Sequence, residues 1–291
     1  MLSPIGLGCW QFVNNNRWWN QLSQKEVDKI VKISLNNGIN WFDTAEAYYG
    51  SERILASALN KVDNEFAIAT KWLPTFRTAR NIARTINKRL SELAPHKISL
   101  YQIHYPYAFS TIERLMESMV YLVRDNKIKY IGVSNFNAKQ VRQAYQTLNK
   151  YGLVLASNQV KYNLYNRSIE SNGVYETCKE LGVSIIAYSP LAQGLLTGKY
   201  HRFPSLIKDL PFARRLVLNS QINKTDNLIN CMKVISLEHN CSISEIALSW
   251  LINRGVFVLV GISNVSQIYQ NVKAMNLELT PMEITEIERV K

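Results

Sequence analysis

At 291 residues, with 47% hydrophobic and 19% charged residues, the chain has ordinary globular composition and enough apolar content for a large core. Its longest apolar runs, such as VFVLVGI at 256–262, fall far short of the ~20 residues a membrane helix needs, which argues against a membrane partner. The net charge of +12 admits nucleic acid, an acidic surface or a phosphorylated ligand. The basic residues are scattered, however, and Arg77, Arg80, Arg84, Lys88 and Arg89 read as a solvated helix face rather than a nucleic-acid surface.

Cys9, Cys178, Cys231 and Cys241 show neither CxxC spacing nor paired histidines, so free thiols and no metal are expected. Met1 leads into LSPIGLG without a charged and then apolar cleavable segment, so a cytoplasmic protein is expected.

In chain order, short β-branched segments alternate with longer stretches of helical period. Ile5–Gln11 is the first predicted strand. Ser23–Asn37 follows as a helix, opened by an S-x-x-E capping box of Ser23 and Glu26 and stopped at Gly38. Next come strand Ile39–Asp43, helix Ser51–Lys61, strand Ala67–Lys71 and helix Arg77–Leu93. Strand Leu100–His104 precedes helix Thr111–Asn126, and strand Tyr130–Ser134 precedes helix Ala138–Tyr151. Strand Ser157–Val160, helix Ile169–Leu181 and strand Ser184–Tyr188 continue the series, and Phe257–Gly261 is the eighth strand.

The repeat is about 30 residues, the size of one βα unit. Such regular alternation predicts an all-parallel sheet with helices outside it. Eight repeats, in a chain near the ~250 residues typical of such folds, predict an α/β fold of the (β/α)8 TIM-barrel type. The gap from Tyr188 to Phe257 holds the stretch Lys199–Pro211 and helical segments Asn223–Asn240 and Ser244–Asn253, so the seventh βα loop is enlarged. No polar linker breaks the chain, and residues 1–291 are expected to form a single domain.

In such a barrel the functional site gathers at the C-terminal ends of the strands. Asp43, Lys71, His104, Ser134 and Tyr188 are each the last or nearly last residue of a predicted strand. Tyr48 lies five residues beyond Asp43. With a reference pKa of about 10, a tyrosine donates a proton poorly at neutral pH. A nearby lysine ammonium would lower that value, and a carboxylate would hold the lysine in place. Asp43, Tyr48, Lys71 and His104 together have the chemistry to protonate a carbonyl.

Six segments carry a resemblance: FDTAEAYYGSE, AIATKW, LYQIHYP, IKYIGVSNFN, SNQVKYN and IIAYSPLAQGLLTGKY. In their order and spacing the chain resembles the aldo-keto reductases, from about residue 3 to residue 285. The resemblance implies an NADP(H)-dependent carbonyl reductase on a (β/α)8 barrel with no Rossmann domain. Consistently, Gly6-Leu7-Gly8 continues as Cys-Trp-Gln with no third glycine.

Carried over by position, the resemblance implies that Tyr48 donates the proton in reduction, with Tyr49 as pocket wall. Lys71 would lower the phenol pKa, Asp43 would pair with Lys71, and His104 would orient the substrate carbonyl over the nicotinamide. Tyr188 would stack on the nicotinamide, and Ser134, Asn135 and Gln159 would hold its carboxamide. Gly8, Cys9 and Trp10, closing the first strand, would face the cofactor. Ser189, Leu191, Gln193 and Lys199 fall in the enlarged loop where the family grips the pyrophosphate. Gly261, Ser263, Gln267, Gln270 and Asn271 fall at the adenosine end.

The chain departs from the pattern at that end. Many relatives have a Lys at the position of Gly261 and an Arg at that of Gln267, which clamp the 2′-phosphate, and a Glu at that of Gln270. A Gln at 267 recurs in the branch of bacterial reductases and potassium-channel β subunits, which use basic residues of the seventh loop. Lys199, Arg202 and Arg214 are the candidates for that role here. NADP(H) is the expected cofactor, and NAD(H) stays open.

The expected substrate pocket is aromatic: Trp10, Tyr49, Trp72 and Tyr105, with Phe109 at the same rim and Trp18 and Trp19 either there or packed away. Such walls suit a small or medium aldehyde. The chain stops soon after its last short segment, so an open mouth and broad selectivity are expected. The expected partner is a small-molecule carbonyl substrate, and the expected state a monomer or weak homo-oligomer. The competing reading is a slow-turnover, nucleotide-binding redox sensor or regulatory subunit.

Overall fold

The computed structural model describes residues 1–13 and 22–290; Trp18 and Trp19 fall outside the described residues. Parallel strands close on themselves in chain order. They are β1 Ile5–Gly8, β2 Trp41–Asp43, β3 Ala67–Trp72, β4 Ile98–Ile103, β5 Ile128–Ser134, β6 Leu155–Lys161, β7 Ser184–Tyr188 and β8 Phe257–Gly261. β8 pairs back onto β1, which makes the sheet an eight-stranded (β/α)8 barrel.

The helices of the first five crossovers are α1 Gln24–Asn36, α2 Ser51–Leu59, α3 Arg80–Leu93, α4 Ile112–Arg124 and α5 Ala138–Asn149. The capping box opening α1 is present: Ser23 Oγ accepts from the Glu26 N–H, and Glu26 accepts from the Ser23 N–H at 2.7 Å. The sixth crossover holds α6 Ser168–Ser171 and α7 Val174–Glu180 rather than one continuous helix. Gly173 breaks it, at a φ of 81° that a residue with a side chain adopts only with strain.

The seventh crossover is the enlarged one. It carries α8 Lys199–Arg202, α9 Phe212–Gln221 and 3-10 turns at Ala192–Thr197, Pro204–Ile207 and Ile222–Thr225. α10 Asp226–Glu238 and α11 Ile243–Asn253 follow, and α12 Val265–Met275 and α13 Pro281–Arg289 come after β8. Among the described residues, no helix is long and apolar enough to cross a membrane.

β1 is shorter than predicted: Cys9–Phe12 coils into a 3-10 turn. Gly8 is in register with Asp43 on one side and Gly261 on the other, the last residues of β2 and β8. No neighbouring strand remains to bond a longer β1. Trp10 and Gln11 therefore leave the sheet and turn over the barrel mouth.

Strand alternation sorts side chains into two cores. Residues such as Leu7, Phe42, Ile68, Tyr101, Val133 and Val258 point outward and bury against the helices in the larger core. A smaller cluster of Trp41, Ile186 and Leu259, with Phe257 and Leu100 beside it, fills the barrel floor. Gly6 makes room for that floor, since a Cβ there would stand 2.2 Å from Cε2 of the Trp41 indole. Above the floor the interior turns polar, with Asp43, Lys71, Gln102 and Gln159 all buried. Gly132 opens the space for Gln102, because its Cβ would lie 3.0 Å from Gln102 Cγ.

Candidate active site

Asp43 ends β2 and stands at the centre of the polar layer. One carboxylate oxygen, Oδ1, pairs with the Lys71 ammonium. The other accepts from Gln102 Nε2 at 3.0 Å and Gln159 Nε2 at 2.9 Å. Lys71 also donates to the Thr44 carbonyl at 3.0 Å. A buried ion pair survives desolvation only when its remaining lone pairs and protons are met, and β4, β6 and the residue after β2 supply those partners here.

The segment after β2 is tied down on both sides. Glu46 N–H donates to the Lys71 carbonyl at 3.0 Å, and its carboxylate accepts from the Leu73 N–H and from Arg77. Thr44 Oγ1 donates to Ser51 Oγ, which donates to the Cys9 carbonyl at 2.8 Å. These bonds bring Tyr48 into the mouth, its ring 6.3 Å from Trp10 and 5.8 Å from His104, edge-on to the imidazole. Lys71 Nζ lies 5.2 Å from the centre of the same ring. Tyr49 points away and is 82% exposed, so the neighbouring tyrosines part company, and Tyr49 is not a wall of the cleft.

Burial first, and then the negative charge of Asp43, lifts the Tyr48 phenol well above its usual range. The net shift is upward, where a net lowering by Lys71 was expected. The Lys71 ammonium is bonded to Asp43 and the Thr44 carbonyl. At neutral pH the phenol keeps its proton. Burial and Asp43 likewise push the Cys9 thiol well up.

His104 lies one residue past β4, its N–H bonded to the Trp72 carbonyl at 3.0 Å. Its ring stacks on Tyr105 at 4.6 Å, and Nδ1 has no hydrogen-bond partner among the described residues. Burial, helped by the charge of Lys71, brings its pKa down to about 3. The imidazole is neutral, able to donate from one nitrogen without carrying charge.

Ser134, Asn135, Gln159 and Tyr188 form one linked set. Ser134 Oγ donates to the Gln159 carbonyl at 2.8 Å, and Asn135 Nδ2 donates to the His104 carbonyl and to Ser134 Oγ. Tyr188 OH donates to Asn135 Oδ1 at 3.0 Å. Asn135 holds a φ of 60°, and in the seventh loop Ser189, Ala192 and Gln193 are also left-handed. Such strained backbone in residues with side chains gathers at functional sites.

These elements surround a cleft of about 990 Å³, at the upper end of the usual range for ligand sites. Gly8, Cys9, Trp10, Asp43, Tyr48, His104 and Tyr105 line one wall. Ser134, Asn135, Gln159 and Tyr188 continue the lining, followed by Ser189, Leu191, Gln193 and Lys199 from the seventh loop. Gly261, Ser263 and Gln267 line the end beyond β8. There Asn264 caps α12 by accepting from the Gln267 N–H, while Gln267 Oε1 accepts from the Ser263 N–H at 2.7 Å.

Several expected residues stand elsewhere. Lys71 lies beneath the cleft and reaches it through Asp43. Trp72 was expected in the pocket and is instead fully buried in the helix-facing core, because β3 runs one residue past Lys71 and reverses the direction of its side chain. Gln270 is exposed and Asn271 buried on α12, and neither lines the cleft. Phe109 packs against Phe76 outside it, and Arg202 is exposed over the Phe203 ring.

Sequence reasoning passed over Gln102 and Gln11, whereas Arg214 was among its candidates for the phosphate. Gln102 supports Asp43, and its signal was the alternation of LYQIHYP, which gives Gln102 and His104 the same inward face. Gln11 lines the mouth, hidden by the overlong first strand. Arg214, from α9, is buried at the cleft wall, where Nη2 donates to the Gln193 carbonyl at 2.7 Å and the Tyr200 hydroxyl at 3.1 Å. Lys199 Nζ sits 4.7 Å over the Tyr200 ring.

Comparison with known proteins gives this geometry its context. The chain is 28% identical over 306 residues to the chloroplastic pyridoxal reductase of Arabidopsis thaliana, covering 99% of this chain and 82% of that one. It is 33% identical over 287 residues to an uncharacterized oxidoreductase of Mycobacterium tuberculosis, covering 96% and 86%. A crystal structure of a thermostable aldo-keto reductase with the inhibitor epalrestat superposes with a TM-score of 0.81 at 26% identity, covering 100% of this chain and 96% of that one. An aldo/keto reductase from Klebsiella pneumoniae in complex with NADP and acetate shares the fold, with a TM-score of 0.77 at 22% identity, over 99% and 91% of the two chains. The sequence profile of the aldo/keto reductase family matches residues 4–291. With that match over a closed eight-stranded barrel, the chain belongs to the aldo/keto reductase family of oxidoreductases.

Proposed function

We propose that this protein reduces aldehydes and ketones to alcohols with NADP(H), using Tyr48 as the proton donor. The observation that carries the reading is the arrangement at the mouth: a protonated Tyr48 phenol over the buried Asp43–Lys71 pair, edge-on to a neutral His104.

The cleft suits a nicotinamide dinucleotide. Tyr188 offers a flat ring at the end of β7, and the amides of Asn135 and Gln159 stand beside it for the carboxamide. Gln193 Oε1 is a buried acceptor with no partner among the described residues. Lys199 and Arg214 supply positive charge along the seventh loop, opposite the capped N-terminus of α12, the kind of place where anions are held. Gly261 and Gln267 bring no charge, so the case for the 2′-phosphate rests on Lys199 and Arg214. When bound, the reduced nicotinamide supplies the hydride.

The protein's own residues do the rest. His104, neutral, donates a hydrogen bond to the substrate carbonyl oxygen and polarises it without bringing charge to the site. Tyr48 gives its proton to the same oxygen as negative charge develops there. As the phenolate forms, the Lys71 ammonium below the ring stabilises it, and Asp43, held by Gln102 and Gln159, keeps Lys71 in place. Trp10 and Tyr105 flank the carbonyl and exclude water.

The test is oxidation of NADPH and NADH against a panel of aldehydes, with pyridoxal included because one relative is named for it. We expect turnover with NADPH and at least a roughly hundredfold lower kcat in Tyr48→Phe. An unchanged rate in that variant would refute the mechanism. Binding of nucleotide without turnover on any aldehyde would favour a sensor over a reductase.

A further inference from the structure

Gln11 stands in the 3-10 turn after β1 and is only 5% exposed, yet it lines the cleft. Its Oε1 accepts no hydrogen bond among the described residues. Buried amide oxygens are nearly always paired, because an orphaned one has lost its water for nothing in return. An orphan on a ligand cleft is placed to be paired by a ligand or by water.

The seat of this side chain is Gly261, the last residue of β8. A Cβ built on Gly261 would lie 3.1 Å from Gln11 Cδ, 3.2 Å from Nε2 and 3.3 Å from Oε1. The carboxamide thus rests on the bare Cα. Gly261 is not among the glycines with positive φ, so its backbone would accept any residue. A side chain there would press on the amide of Gln11 and shift it by a few tenths of an ångström.

Gly261 leads directly to Ser263, Asn264 and the capped start of α12, the end of the cleft that suits sugar and phosphate. Ionised phosphate oxygens only accept hydrogen bonds, and an amide oxygen needs a donor. The donors a dinucleotide carries along its sugar–phosphate stretch are ribose hydroxyls. We propose that Gln11, seated on Gly261, is a direct cofactor contact whose Oε1 accepts from a ribose hydroxyl. This rests on the dinucleotide reading above.

The test is equilibrium binding of NADPH and NADH, followed by protein fluorescence, together with thermal melting of the nucleotide-free protein. Gln11→Ala should weaken both nucleotides about five- to tenfold, in line with one lost hydrogen bond, while the melting temperature holds or rises. Gly261→Ala should weaken binding similarly by displacing the amide, and the double variant should bind no worse than either single one. If Gln11→Ala destabilises the protein, Gln11→Leu, which keeps the bulk, should show the same loss of binding. Nucleotide affinities within twofold of wild type in both Gln11 variants, or additive losses in the double variant, would overturn the inference while leaving the cofactor reading intact. A wild-type protein that binds neither nucleotide would overturn both.

Discussion

Gln159 donates to Asp43 Oδ2 at 2.9 Å, joining β6 to β2 across the barrel mouth and 116 residues of chain. With Gln102 on the same oxygen and Lys71 on the other, the carboxylate has partners at both ends. The arrangement explains how a fully buried lysine is tolerated at the base of the cleft. It also couples the residues proposed to hold the nicotinamide to those proposed to move the proton.

Asp43→Asn keeps the shape and removes the charge. Lys71 is then buried without a counter-ion, which typically costs about 3–5 kcal/mol. The expected result is an unfolding free energy from urea titration lowered by that amount at pH 7, with kcat reduced at least tenfold. A variant as stable as wild type would show that the ion pair contributes little to folding.

Gln102→Leu tests the second donor to Asp43. Leucine fits the space that Gly132 leaves, and Gln159 remains to hold Oδ2. One charge-assisted hydrogen bond is lost, so a destabilisation of about 1.5–3 kcal/mol is expected, along with a fall in kcat larger than any change in nucleotide affinity. Equal loss in both quantities would point to general disruption of the site rather than to misplacement of Lys71.

The fold was legible because a period of two gave way repeatedly to a helical period, with glycine or a cap at the joints. Asp43, Tyr48, Lys71 and His104 were legible because strand ends meet at one rim. What stayed hidden depended on direction rather than identity. Lys71 and Trp72 are neighbours on opposite faces of β3, so reading the strand one residue short sent Trp72 to the wrong side. Reading β1 too long concealed the turn that brings Gln11 over Gly261. The sign of the Tyr48 shift was out of reach as well, since burial and the Asp43 carboxylate raise it only through their three-dimensional arrangement.

Gly6→Ala probes the barrel floor. The added methyl would overlap the Trp41 indole, which is held by a 2.9 Å bond from Nε1 to the Ser3 carbonyl and packed edge-on to Phe257. Overpacking of this kind costs about 1–3 kcal/mol or more. Thermal unfolding should show a clear drop in melting temperature, and Trp41→Phe, with its smaller ring, should partly restore it in the double variant.

His104 makes stability depend on acid. Its imidazole titrates at about 3 in the folded chain, against an ordinary value of 6.5 once unfolded. Between those values the unfolded chain binds more protons, so stability falls as the pH drops through this window, by up to about 1.4 kcal/mol per unit. Above pH 7 both states hold the ring neutral and the effect vanishes. His104→Gln has no such proton to take up. The stability difference between variant and wild type, from urea unfolding at pH 7.5 and pH 4.5, should therefore move in favour of the variant by about 2–3 kcal/mol. Carboxylates that titrate in both proteins cancel in that difference. Parallel stability curves for the two would mean that His104 takes up its proton as readily folded as unfolded, and the neutral imidazole assigned to the mechanism would have to be abandoned.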